Sequence, residues 1–113
     1  MTDAATAADL MFRPASELAG LVRDGQVSAR ELVEASLARI EALNPTYNAF
    51  IDVFADEALA AADAVKPGDD RPLAGVPTAI KNNRPVAGKR WTFSSSLFGD
   101  FEAPMEWIGV QRL

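Results

Sequence analysis

The sequence predicts an α/β chain that opens with a helical hairpin and continues as strand, helix, strand and irregular chain. Three observations predict it. Between residues 14 and 43 apolar side chains recur at helical spacing, and a serine–glutamate pair marks a helix start. Residues 48–54 and 76–81 are short apolar runs with β-branched members, as strands are. An alanine-rich helical stretch and a proline- and glycine-bearing loop separate those two runs.

The elements come in order. Residues 1–13 are expected to form an N-terminal arm, loose or briefly helical, and residues 14–113 the domain itself. Pro14 opens a helix that places Leu18, Leu21 and Val22 on one side, and Gly25 reads as its C-terminal cap. Ser28-Ala29-Arg30-Glu31 fits the capping box, in which serine and glutamate satisfy each other's orphan amides. The helix it starts carries Leu32, Val33, Ser36, Leu37, Ile40 and Leu43 along one side and is expected to stop at Asn44-Pro45, because a residue before proline is pushed out of the helical region. Residues 48–54 are the first expected strand, 55–65 a helix, 66–72 a turn-rich loop and 76–81 a second strand ending on Lys81. A polar stretch runs through Ser94, Ser95 and Ser96, and residues 103–113 are expected to begin another helix.

Composition excludes several kinds of chemistry. The 113 residues include no histidine and no cysteine, so neither a Ser-His-Asp triad nor a Cys-His pair can be built from them, and the preferred ligands of zinc are missing. Catalysis here must run on serine, lysine, carboxylates or tyrosine, and no metal or cofactor is expected. Residues 1–65 carry four basic and eleven acidic side chains, a balance of −7; residues 66–113 carry seven and five, a balance of +2. An acidic chain without a basic stripe is a poor nucleic-acid binder, since phosphate contacts supply most non-specific affinity. No run approaches the ~18 apolar residues that span a bilayer, and Met1 to Leu10 lacks the basic start of a signal peptide. The expectation is a cytoplasmic protein with no membrane and no nucleic-acid partner. Asp69-Asp70, two carboxylates in a Pro/Gly loop without further ligands, read as solvated charges rather than a metal site.

Several segments, in order, resemble the start of the amidase signature family. Ser16-Glu17-Leu18-Ala19, Ser28 through Glu34, Ala38 through Pro45 and Asn48-Ala49-Phe50 are similar to that family's opening helices and the stretch just after them. The most specific match is Pro72-Leu73-Ala74-Gly75-Val76-Pro77-Thr78-Ala79-Ile80-Lys81-Asn82-Asn83, similar to the family's Pro-Leu-x-Gly-(Ile/Val)-Pro-x-x-(Val/Ile)-Lys-Asp-Asn segment. The resemblance covers residues 14–113 and implies the N-terminal portion of the amidase-signature fold, a mixed sheet flanked by helices and only partly present here. It implies a Ser–Ser–Lys triad that hydrolyses a small amide substrate through an acyl-enzyme, with the catalytic lysine at Lys81. A lysine closing a buried strand is partly desolvated, which lowers its pKa and lets the neutral amine accept a proton through a bridging serine.

The sequence departs from the pattern at three places. Asn82 stands where the family has aspartate; an amide can anchor backbone N–H groups but cannot favour the charged lysine. Where the family shows Thr-Thr-x-Gly-Ser, this chain has Trp91-Thr92-Phe93-Ser94-Ser95, so serine replaces a glycine, which matters if that position needs positive φ. The family's bridging and nucleophilic serines lie in loops beyond the residues present, and Ser94, Ser95 and Ser96 read as a hydrogen-bonded loop, not as substitutes. The 113-residue chain alone is therefore expected to be inactive. Trp91, Phe93, Phe98 and Phe101 read as core or interface ahead of a substrate-pocket wall. Three functional readings are open: an amidase of which this is the beginning, the glutaminase subunit of a tRNA-dependent amidotransferase with partner subunits, and a non-catalytic remnant acting as an interaction module. Exposed sheet edges would drive such a remnant to pair with a second copy of itself.

Overall fold

The computed structural model describes residues 4–113; Met1 to Asp3, the first part of the expected arm, lie outside the described residues. The chain divides into two compact units, Met1–Pro77 and Thr78–Leu113.

The first unit is helical. α1 (Ala4–Leu10) occupies much of the expected arm. α2 (Ala15–Arg23) follows Pro14, whose missing N–H costs nothing at a helix start. It ends as Gly25 predicts: Gly25 takes φ 72°, its N–H donates to the Val22 carbonyl, and the Gln26 N–H donates to the Leu21 carbonyl. That pair of bonds satisfies carbonyls the helix would otherwise leave bare. α3 (Ala29–Tyr47) starts on the capping box, with the Glu31 N–H donating to Ser28 Oγ at 3.1 Å and the Ser28 N–H to the Glu31 carboxylate at 2.9 Å. α4 (Ala55–Ala64) packs on α3, and Arg30 of α3 reaches Asp63 of α4 at 2.7 Å. The core sits among Leu10, Leu18, Val22, Ala29, Leu32, Val33 and Ala62, with Leu32 fully buried.

Segment 72–76 then turns back onto this core. Gly75 has φ 83°, and a Cβ there would lie 2.9 Å from the Ala29 methyl and 3.0 Å from Val22 Cγ1. Only glycine meets both the backbone sign and the close approach. The glycine of the most specific sequence segment thus has a packing reason within this unit.

Five expectations are corrected. α3 does not stop at Asn44-Pro45 but carries Pro45 inside its last turns and ends at Asn48, which takes the left-handed conformation (φ 50°). The Asn48 N–H still reaches the Asn44 carbonyl at 2.7 Å, and the amide hydrogen that proline lacks is needed only for a single bond near the helix end. Residues 48–54 are not a strand. The Asn44 side chain takes both backbone groups of Phe50, its Nδ2 donating to the Phe50 carbonyl at 3.0 Å and its Oδ1 accepting from the Phe50 N–H at 2.9 Å. Those groups are the ones a ladder would need. Residues 76–81 are likewise irregular, and residues 77–80 form no backbone–backbone hydrogen bond among the described residues. No mixed sheet forms among the described residues, where the one pairing is an isolated antiparallel bridge, Arg90 with Glu102. The helix expected over 103–113 shortens to α5 (Ile108–Gln111).

The second unit is built from turns around that bridge. The Gly88 N–H donates to the Ala103 carbonyl, the Ala103 N–H to the Lys89 carbonyl and the Trp91 N–H to the Phe101 carbonyl, at 2.8–3.0 Å. The Trp107 N–H donates to the Pro85 carbonyl, and the Arg84 guanidinium lies 4.6 Å over the Trp107 ring. Among the described residues no helix is long and apolar enough to cross a membrane.

Candidate functional site

Lys81 opens a tight turn in the second unit. Its carbonyl accepts the Arg84 N–H at 2.9 Å, leaving Asn82 and Asn83 at the apex. The side chain is exposed, and no group among the described residues hydrogen-bonds or ion-pairs with its ammonium. The desolvated strand end expected for it is replaced by a solvent-facing turn, because the strand that was to bury it does not pair.

Asn82 is held differently. Its Nδ2 donates to Thr92 Oγ1 at 2.9 Å and its Oδ1 accepts from the Thr92 backbone N–H at 3.3 Å. The amide thus anchors a backbone N–H, the task left to it once the carboxylate is gone. Thr92 could not be named as the partner from the sequence. The only signal was an Asn and a Thr ten residues apart across the Gly88 turn, which is too common a pattern to single out.

Thr92 begins a second turn of uncommon geometry. The Ser95 N–H donates to the Thr92 carbonyl at 2.9 Å, and between them Phe93 and Ser94 both have positive φ, 53° and 59°. Two successive left-handed residues define the primed hairpin turn that glycine and asparagine favour. The position where serine replaces the family glycine does require positive φ. Ser95 Oγ accepts the Leu97 N–H at 3.3 Å, so this serine is used in local loop hydrogen bonding.

The sequence neighbours of this pair each bury a side-chain atom with no hydrogen-bond partner among the described residues, Asn83 Oδ1 next to Asn82 and Trp91 Nε1 next to Thr92. The rings of Trp91, Phe93, Phe98 and Phe101 form a chain of tilted contacts with centroids 4.9–6.4 Å apart. Phe93, Phe98 and Phe101 are 43–49% exposed, so this cluster is a surface of the unit rather than its core. Asp69, in the first unit, is engaged by Arg71 through Oδ1 and Oδ2 at 3.0 and 2.6 Å. That bidentate grip, with the Arg71 backbone N–H, pushes its carboxyl down to about 2. Among the described residues no group of three acidic side chains is arranged to hold a metal ion.

Known proteins are similar to this sequence. The family model described as Amidase matches residues 31–113. Several glutamyl-tRNA(Gln) amidotransferase A subunits are similar to the chain. That of Prochlorococcus marinus (strain MIT 9303) is 47% identical over 94 residues, which are 79% of this chain and 19% of the relative. The Synechococcus sp. (strain WH7803) protein is 46% identical over 95 residues, 80% of this chain and 20% of the relative. The Alkalilimnicola ehrlichii protein is 41% identical over 102 residues, 87% of this chain and 21% of the relative. The chain thus spans about a fifth of the length of the curated relatives it matches. No solved structure gives a significant match. With the lysine segment inside the matched range and identity near half, the chain belongs to the amidase family.

Proposed function

We propose that this chain is the lysine-bearing N-terminal segment of an amidase that cleaves carboxamide C–N bonds through a serine acyl-enzyme. Lys81 is its proton relay. The neutral Lys81 amine takes the proton of a bridging serine as that serine takes the proton of the nucleophile. The nucleophilic Oγ then bonds to the amide carbon, and the amine leaves with the returned proton. Water afterwards cleaves the acyl-enzyme. The observation that carries this reading is the segment from Pro72 to Asn83, which lies inside the family match and bears an exposed lysine with no partner among the described residues. The serines belong to segments other than these 113 residues. Residues 77–80 are the candidate to enter a mixed sheet in the intact protein, and doing so would desolvate Lys81.

The similarity to amidotransferase A subunits favours a second reading, in which the amide is that of glutamine and the ammonia passes to a partner subunit. One set of proteins tests both. The purified 113-residue chain is expected to release no ammonia or arylamine from glutamine or an aryl amide. A chimera in which residues 31–113 replace the matching stretch of the Prochlorococcus relative is expected to turn over, and Lys81→Ala in it to abolish turnover. Turnover of glutamine but not of the aryl amide supports the second reading, and an active chimera carrying Lys81→Ala overturns the role of the lysine.

A further inference from the structure

We propose that Asn82 is a positioning residue, a latch that holds the Lys81 turn to the Thr92–Ser95 turn. Three features of the second unit converge on it. The Thr92–Ser95 turn is strained, because two non-glycine residues in succession are left-handed, at a cost of about 1–2 kcal/mol each. Asn83 in the Lys81 turn and Trp91 just before the Thr92 turn each bury a polar atom without a hydrogen-bond partner among the described residues, Asn83 Oδ1 and Trp91 Nε1, and such atoms favour opening toward water at about 1–3 kcal/mol each. The unit has little apolar core to oppose these terms, since Pro85 and Ala103 are its only buried residues among those described. Something must hold the two turns together, and the two Asn82–Thr92 hydrogen bonds span them directly.

The chemistry of the latch makes a specific demand on position 82. The Thr92 N–H is a fixed donor and needs an acceptor, whereas the Thr92 hydroxyl can donate or accept by rotating. An asparagine satisfies the pair by accepting from the N–H and donating to the hydroxyl. A carboxylate satisfies it by accepting from both. A side chain without an acceptor satisfies neither. The latch therefore tolerates Asn or Asp and nothing apolar, and because Lys81 is the adjoining residue, the latch sets where its backbone sits. That this placement serves proton relay rests on the function proposed above, but the latch itself is a property of this chain and is tested on it.

The experiment is amide and indole hydrogen exchange by NMR on the 113-residue chain, for the native protein, Asn82→Ala, Asn82→Asp and Thr92→Val. In Asn82→Ala the Thr92 amide and the Trp91 indole N–H are expected to exchange at least about tenfold faster, and the Lys81 side-chain resonances to shift. Asn82→Asp at neutral pH is expected to restore native exchange of the Thr92 amide and the Trp91 indole. Thr92→Val, which removes only the hydroxyl, is expected to fall between. If Asn82→Ala unfolds the second unit, the Thr92→Val and Asn82→Asp pair still decides. Native exchange in Thr92→Val, or exchange in Asn82→Asp as fast as in Thr92→Val, overturns the latch, as does native exchange in a folded Asn82→Ala. A latch that holds in these measurements alongside an active Lys81→Ala chimera leaves the latch standing and removes only the catalytic reading.

Discussion

Ser94 holds a left-handed backbone with an exposed side chain and, among the described residues, no side-chain hydrogen bond, so the serine gives nothing back for the strain. A non-glycine residue there costs about 1–2 kcal/mol. Glycine would relieve that cost but adds about 0.5–1 kcal/mol of chain entropy to the unfolded state. The balance favours glycine, and Ser94→Gly is expected to stabilise the second unit by about 0.5–1 kcal/mol, read as a higher urea midpoint for the Trp91 signal; an unchanged or lower midpoint would contradict it. Gly75 is the opposite case. Its φ of 83° and the 2.9 Å approach to the Ala29 methyl add strain and overlap in the same place. Gly75→Ala is expected to destabilise the first unit by about 2–3 kcal/mol, measured by chemical denaturation of α2 and α3 signals. The sequence marked both positions through their motifs. The reason at Gly75, contact with Val22 and Ala29 some fifty residues earlier, is a tertiary fact that no local pattern carries.

At the scale of the element, side chains that bond the backbone decide where regular structure ends. Asn44 closes α3 by taking both backbone groups of Phe50, and this turns a strand-like composition into a folded-back loop. Asn44→Ala removes two hydrogen bonds and is expected to cost about 1–2 kcal/mol and to release the Phe50 amide to exchange, with the capping-box end of α3 unaffected. A Phe50 amide that stays protected would show that packing, not Asn44, holds the loop. The loop after α4 is fixed by charge. Arg71 grips Asp69, and the Arg23 side chain donates to the Asp69 carbonyl at 3.3 Å. Since the folded carboxyl is pushed from 3.8 down to about 2, its stabilising effect is complete above pH 3.8 and is lost as the pH falls toward 2. The Arg71 amide is accordingly expected to lose its protection over that window, and Arg71→Ala to remove the dependence. Helices were legible because their signals are local: the Ser28–Glu31 box, Gly25 and the spacing of Leu18, Leu21 and Val22 each act within a turn or two. The two expected strands do not form because a strand is defined by its partner, and apolar β-branched composition at 48–54 and 76–81 says nothing of whether one is present.

At the scale of the whole chain, stability is expected to be uneven. Among the described residues, eight of the nine buried hydrophobic side chains, Leu10, Leu18, Ala19, Val22, Ala29, Leu32, Val33 and Ala62, belong to the first unit; the ninth, Ala103, belongs to the second. Apolar burial at about 25 cal/mol per Å² is the main term opposing chain entropy, so a unit held mainly by turns and one isolated bridge opens at lower cost than one with a shared helical core. The large side chains of the second unit lie outward instead: Leu97 is 84% exposed and Met105 60%. Lys81 and its latch sit in this weaker unit, where the turn proposed to carry the proton relay can be repositioned without unfolding the helices of the first unit. Native-state hydrogen exchange is the measurement that checks this. Amides in the cores of α2 and α3 are expected to exchange at least about tenfold more slowly than the Trp91 and Ala103 amides, a gap of ~1.4 kcal/mol or more in opening free energy. Equal protection in both units would mean that they open as one, and the weakness assigned to the Lys81 half would then be wrong.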